Sequence, residues 1–335
     1  MCCKYCIYPH YDLNVHFGRI SLSNHPLIVS PLSQLTIVEV GNEQRYEYLH
    51  GQLTVATQNF DAKTARIAAH CDFKGKMFAA LTLSEYDDKF LLSMHHESAQ
   101  ESLLQLKKYG VFSKVDIEQN KTLNCVGVAG ELGITLLNEM FNDLPQEHLH
   151  LSTNEYGQAI CFNDSSLRYL CYLNEQGLAL LNEKMAGTDY SETSAWEKLE
   201  IEAGLGNIQQ ATLGEFVPQM LNFQAINAID FDKGCYMGQE VVARTKFLGK
   251  NKRACFILEA DCETLPEQAI VGKLLEIQLD ENWRRGGVIN RACFDNGRLY
   301  ILAVMANDTE VGSVVRLKDT ELHLKVCELP YTLNE

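Results

Sequence analysis

The sequence predicts an α+β protein: two ferredoxin-like units followed by a small all-β barrel. Three observations point there. A strand–helix pattern opens at Leu35 and closes near Ile117, the same element order returns between Cys125 and Met185, and beyond about Lys250 the chain turns to short apolar runs separated by Asp, Asn and Gly. The expected boundaries are an N-terminal tail (1–27), a first unit (28–122), a second unit (123–249) and the barrel (250–335). At roughly 150 residues per domain, 335 residues suit two or three domains.

The tail has weak periodicity, and Cys2, Cys3 and Cys6 precede a mixed polar and aromatic run. Cys3, Cys6, His10 and His16 could gather four zinc ligands only across a segment too short for the usual finger loop, so no metal site is assigned. Residues 36–40 alternate as a strand, and Asn42 is placed to cap a short helix in which Tyr46 and Leu49 share a face before Gly51. Residues 77–83 and 89–94 read as the arms of a hairpin around a turn-rich 84–88 segment. Residues 97–109 place Leu103, Leu104 and Leu106 near one helical face and end at Gly110, which suggests a left-handed cap; residues 111–117 return as strand. That β-α-β-β-α-β order is the split βαβ arrangement.

The second unit follows with strands at 125–129, 159–162 and 168–173 and helices at 131–141 and 174–185. The likeness of the two halves is one of element order, not of residues. A further helix spans 191–203. Runs at 255–258, 274–279, 287–289, 299–305 and 314–317 have the spacing of a small barrel or sandwich.

Composition is that of an ordinary globular chain, with 46% hydrophobic and 22% charged residues, which excludes disordered, collagenous and disulfide-scaffold classes. The longest stretch without a charge, 20–38, is interrupted by prolines and polar residues and does not read as a membrane span. The first residues lack the pattern of a secretory signal, so a cytoplasmic location is expected, with the 12 cysteines as thiols. The balance of 29 basic and 44 acidic residues, net −15, disfavours nonspecific attraction to phosphate backbones. A local exception is 241–258, where Arg244, Lys246, Lys250, Lys252 and Arg253 occur without an acidic residue. An anion-binding face and a lysine-protected strand edge both explain it. No phosphate loop, H-E-x-x-H pair or G-x-S-x-G elbow occurs.

The densest motif is Lys233-Gly234-Cys235-Tyr236-Met237-Gly238-Gln239-Glu240. Its glycines permit positive φ and close backbone approach, and an ammonium beside Cys235 would stabilise the thiolate, making Cys235 a candidate nucleophile or ligand and Lys233 its activator. An inert cysteine in a tight turn is the other reading.

This octapeptide, with Val241-Val242-Ala243-Arg244 and Asn251-Lys252-Arg253 after it, resembles the signature of the YgfZ family, folate-binding proteins similar to the glycine-cleavage T-protein. The resemblance extends through His50-Gly51-Gln52-Leu53-Thr54, Cys71-Asp72-Phe73-Lys74-Gly75-Lys76-Met77, Ile201-Glu202-Ala203-Gly204, Phe216-Val217-Pro218-Gln219 and Glu281-Asn282-Trp283-Arg284-Arg285. It implies a T-protein-like folate-binding core of two units around a central cleft, a C-terminal barrel, and tetrahydrofolate as cofactor. It also implies support of iron–sulfur enzymes, modification of some tRNAs through such partners, and a link to replication initiation. The implied role is that of an accessory protein more than a turnover enzyme. Two other classes compete with it: a T-protein-like aminomethyl transferase, and a non-catalytic RNA-binding adaptor using 241–258.

Two tryptophans accompany folate in the family. Trp196 matches one and could stack on a flat ring, whereas the other position falls at Gln34, a departure. By chemistry, Glu202 or Glu240 could accept from pterin donors, and Lys233 and Arg244 could meet the carboxylate tail or a phosphate; a structural ion pair explains each carboxylate equally well.

Overall fold

A computed structural model describes residues 27–247, 249, 251–262 and 270–333. The cysteines and histidines of the N-terminal tail and Lys250 of the basic stretch lie outside the described residues. The chain runs β1 (Ile28–Pro31), β2 (Leu35–Gly41), α1 (Arg45–His50), β3 (Arg66–Cys71), β4 (Met77–Tyr86), β5 (Lys89–His95), α2 (His96–Gly110) and β6 (Asp116–Gln119). The second half continues with β7 (Asn124–Ala129), α3 (Glu131–Phe141), β8 (Leu151–Asn154), β9 (Gly157–Asn163), β10 (Leu167–Leu173), α4 (Glu175–Lys184) and α5 (Thr193–Glu202). After two 3₁₀ turns come α6 (Gln239–Phe247) and the strands β11 (Arg253–Asp261), β12 (Leu274–Leu279), β13 (Asn282–Asp295), β14 (Arg298–Ala306), β15 (Val314–Leu317) and β16 (His323–Cys327).

The two halves repeat one topology. The first sheet has the order β3-β4-β5-β2-β6 and the second β8-β9-β10-β7-β1, with every pairing antiparallel. Each unit thus holds one strand more than the β-α-β-β-α-β pattern, namely β3 and β8. The edge strand of the second sheet, β1, comes from ahead of the first unit and pairs Ile28–Pro31 with Ala129–Val126. That crossing ties residues grouped with the first unit by sequence into the second.

Period-two alternation divides the core. In β2 and β5, Val38, Val40, Phe90 and Leu92 face α1 and α2, while Ile37 and Leu91 face the middle of the molecule. In β7 and β10, Val126, Val128, Tyr169 and Cys171 face α3 and α4, while Ala129, Leu170 and Tyr172 face the middle. The barrel does the same: Phe256, Leu258, Ile301 and Ala303 fill its interior, and Cys255, Ile257, Leu302 and Val304 join the central core from outside. Between the sheets, the Ser93 and Tyr172 hydroxyls share a hydrogen bond of 2.6 Å.

The barrel closes in the order β11-β14-β13-β12-β15-β16, with β11 pairing β16. Three local expectations need correction. Asn42 sits at φ +78 in the turn before α1, whose N-cap is Gln44, and its side chain accepts from Glu43 N instead. Gly110 does not cap α2 in the left-handed region; the helix runs into Val111, which is right-handed. Glycine there lets the helix end pack closely on Ile117 and Val115, whose side chains a Cβ would push aside. Consequently the strand expected over 111–117 is confined to Asp116–Gln119.

Candidate functional site

Where the inner faces of both sheets meet α5 and the barrel, a narrow cavity opens. It encloses about 80 Å³ within a cleft of about 710 Å³. Gln34 and Leu35 at the start of β2, Ala80 to Thr82 of β4, Ser93 to His95 of β5, Phe162 and Leu170 of the second sheet, and Trp196 and Glu200 of α5 line it. Asn207 and Arg291 complete the wall. A small, largely apolar slot with a few polar groups suits a flat ligand.

Trp196 is 3% exposed, and its indole lies directly on β7. A Cβ on Gly127 would sit 2.3 Å from its Cε3, so the strand carries glycine where the ring presses on it. The Arg168 guanidinium lies over the indole, 5.6 Å from its ring centroid. The indole is therefore held in one orientation before any ligand arrives.

Glu200 lies four residues beyond Trp196 and shares its helical face. Its carboxylate bridges two buried arginines: Oε1 accepts from Arg168 Nη2 at 3.1 Å, and Oε2 from Arg291 Nη1 at 3.3 Å. Arg168 also pairs with Asp164, and Arg291 with Glu197 through Nε at 2.6 Å and Nη2 at 2.7 Å. Burial pulls both guanidinium groups down, and the flanking carboxylates outweigh it, so both end above their ordinary value. Arg291 reaches this position from the barrel because a bulge between Ile289 and Arg291 shifts the β13–β14 register. Asn290, within the bulge, exchanges hydrogen bonds with the Asn207 backbone at 2.7 and 3.1 Å.

Gln34 faces the same cavity. Its backbone carbonyl accepts from His96 N at 2.7 Å and lies 3.0 Å from His96 Nδ1, while its side-chain Oε1 is buried without a hydrogen-bond partner among the described residues. His95 caps α2 by accepting from Glu97 N, and burial holds its imidazole down to about 4. Its ring is neutral at pH 7.

The structure thus brings Gln34 and Trp196 together but distributes the other sequence candidates elsewhere. Glu202 is two residues past Glu200 and outside the cavity lining; burial pushes its carboxyl up, against the pull of Lys198. Glu240 and Arg244 form an exposed i,i+4 ion pair at 2.8 Å on α6. Lys246 lies 3.9 Å over the Phe231 ring, and Lys76 donates to the Glu215 carbonyl.

Lys233 and Cys235 belong to a second locus, where three of the sequence motifs converge. Lys233 Nζ donates to the carbonyls of His50, Leu53 and Val55 at 2.6, 2.7 and 2.8 Å, so its three donors are committed and none remains for the Cys235 thiolate. Burial pulls this ammonium down to about 7, opposed by Asp230 and by three carbonyls that only the charged form can satisfy together. Met237 N donates to Gly51 O, and Gly238, at φ +83, packs so tightly on the 72–75 turn that a Cβ would lie 2.5 Å from Asp72 O. The result is a clamped loop with Cys235 exposed at its surface. By contrast Cys71, Cys161, Cys171, Cys255 and Cys293 are buried thiols, and burial pushes each of them up.

Glu200, Arg291 and Asn207 were not singled out from sequence, and His95, which with His96 reads in sequence as an exposed residue opening a helix, lines the cavity instead. Glu200 had a signal, its i+4 spacing from Trp196. Among the described residues no helix is long and apolar enough to cross a membrane, and no cluster of three His, Cys, Asp or Glu side chains could hold a metal.

Residues 251–320 match the family model described as the YgfZ β-barrel domain. Among solved structures, the chain is similar to the glycine cleavage system aminomethyltransferase T from Bartonella henselae, with a TM-score of 0.71 and 16% identity over 92% of this chain and 86% of that one. A more distant likeness is to the heterotetrameric sarcosine oxidase of Corynebacterium sp. U-96, with a TM-score of 0.36 and 13% identity over 50% of this chain and 87% of that one. The barrel thus matches the YgfZ β-barrel domain model, and the chain as a whole has a T-protein-like fold.

Proposed function

We propose that this chain is a cytoplasmic folate-binding accessory protein that takes tetrahydrofolate into the slot beside Trp196 and supports iron–sulfur enzymes, among them enzymes that modify tRNA. The observation that carries this reading is the slot itself: an indole held flat on Gly127, facing a cavity whose other walls present Gln34, His95, Glu200 and Arg291. A reduced folate joins a flat heterocycle rich in ring-edge N–H donors to a carboxylate tail. Trp196 supplies the apolar face, Gln34 a side-chain amide and Glu200 a carboxylate at the same wall, which Arg291 orders through its ion pairs with Glu197 and Glu200. The residues present therefore fit the flat ring of the group, which when bound carries one-carbon units on its nitrogens.

The net charge of −15 supports an indirect effect on tRNA, through partner enzymes, over direct binding of nucleic acid. Cys235, exposed on a clamped loop, is the group available to a sulfur-handling partner. Calorimetric titration with tetrahydrofolate tests the reading. Wild type should bind and Trp196→Ala should weaken binding roughly tenfold or more, the scale of losing ring contact together with its burial. Absence of binding by the wild type would sink the folate reading. Formation of methylene-tetrahydrofolate from an aminomethyl donor would favour a transferase instead.

A further inference from the structure

Phenylalanine belongs in the core, yet among the described residues three phenylalanines are more than two-thirds exposed: Phe73, Phe112 and Phe247. Two of the three flank the loop that carries Cys235. Phe73 sits in the 72–75 turn against which Gly238 packs, and Phe247 ends α6, the helix that starts four residues past Cys235. From that helix Lys246 Nζ reaches to 3.9 Å from the ring centroid of Phe231, four residues before Cys235. Each exposed ring also carries a lysine, Lys74 at 5.4 Å from the Phe73 centroid and Lys246 at 5.8 Å from that of Phe247. The 72–76 turn and residues 231–253 hold eight basic residues against three acidic ones, in a chain with 29 against 44. This face is therefore apolar at two points and locally positive, and the folate slot uses none of it.

Lysine-edged aromatics suit either a nucleic acid or a protein, and two observations favour a protein. A base stacks on a free ring face, and here a lysine stands over one face of each ring. Several of the cations are also committed: Lys233 is turned inward onto three carbonyls, Arg244 pairs with Glu240, and Lys76 donates to Glu215 O. Those left suit single carboxylates better than a phosphate chain. We propose that this face is where a partner protein docks, an acidic surface with an apolar recess: Phe73 and Phe247 enter the recess, Lys74 and Lys246 meet carboxylates at its rim, and the partner thereby covers the loop of Cys235. Aromatic anchors inside a charged rim are the anatomy of a protein interface, and the charges set the partner's register. The inference rests on the accessory-protein reading and adds to it the surface used and the chemistry of the partner.

The test substitutes p-benzoylphenylalanine, which crosslinks on illumination, for Phe73 or Phe247 of the full chain in cells, and for Phe112 as a control, and identifies the trapped peptide by mass spectrometry. Positions 73 and 247 should trap the same iron–sulfur enzyme through a segment in which Asp or Glu flanks apolar residues, and position 112 should not. Adding Lys74→Glu and Lys246→Glu should lower the yield roughly tenfold, the scale of two rim charges reversed. No crosslink, a trapped RNA, lipid or second copy of this chain, or a yield that charge reversal leaves unchanged would overturn the proposal. Phe73→Ser combined with Phe247→Ser separates docking from the readings beneath it. Melting temperature and tetrahydrofolate affinity should stay at wild-type values, while modification of tRNA sites that depend on iron–sulfur enzymes falls to the level of Cys235→Ala. Normal modification in the double variant alone would overturn the docking face; normal modification in Cys235→Ala as well would overturn the accessory role of the loop.

Discussion

At the scale of single residues, the motif around Cys235 changes meaning once Lys233 is placed. A lysine two positions from a cysteine reads in sequence as an activator of the thiolate, yet its ammonium is buried against three carbonyls of the 50–55 segment. It acts as a clamp that holds two distant motifs together. Lys233→Met would leave those carbonyls without a donor, and at about 1–3 kcal/mol per unsatisfied buried group, partly relieved by relaxation, a loss of roughly 2–4 kcal/mol in unfolding free energy is expected. Cys235→Ala, at an exposed position, should change stability by less than about 0.5 kcal/mol and leave tetrahydrofolate binding intact. In cells it should lower modification of tRNA sites that depend on iron–sulfur enzymes. Equal denaturation midpoints for Lys233→Met and wild type would refute the clamp, and normal tRNA modification in a Cys235→Ala strain would make the cysteine dispensable.

At the scale of elements, legibility followed periodicity. β4, α2 and α3 could be read because their burial alternates with period two or follows one helical face, β5 because an apolar run follows β4 across a turn-rich segment, and Glu131–Phe141 was expected with the ends it has. β3 was missed because Arg66–Cys71 holds a single β-branched residue, Ile67, among Ala, His and Cys and so carries little strand preference; β8, Leu151–Asn154, because three of its four residues are polar. Helix α2 also shows what burial does to titratable groups at an element boundary. His70 on β3 contacts Ser102 of α2 at 2.9 Å, and His95 caps the helix. Burial holds the first down to about 3 and the second to about 4. Both folded values lie below the ordinary histidine value of about 6.5, so the unfolded chain binds protons that the folded chain does not. Stability is fully present above pH 6.5 and falls as pH drops toward 3–4. His70 alone contributes a slope of up to about 1.4 kcal/mol per pH unit in that window. Denaturant titrations between pH 7 and 4.5 should show the decline, and His70→Gln should flatten it by about one proton; parallel curves for the two proteins would contradict the assignment.

At the scale of the whole molecule, the cavity is a product of assembly. Its walls come from the first sheet, the second sheet, α5 and a bulged barrel strand, so no window of sequence contains it. Trp196 and Gln34 were legible because a family resemblance marked their positions; Arg291 was not, because its inward reach depends on the register shift in β13. The same residue makes the barrel part of the site. Arg291 joins β13 to Glu197 and Glu200 of α5, the helix that also positions Trp196, and Glu200 passes the connection to Arg168 of the second sheet. Breaking one side of a buried ion-pair network leaves charges uncompensated, typically at about 3–5 kcal/mol. Arg291→Met should therefore lower unfolding free energy by roughly that amount and weaken tetrahydrofolate binding at the same time, because Glu197 and Glu200 would be left to repel each other beside the slot. Arg291→Lys, which restores charge without the planar fork, should recover only part of both losses. If Arg291→Met weakened neither stability nor binding, the barrel would be an appended module; loss of both together would show that docking the barrel completes the site.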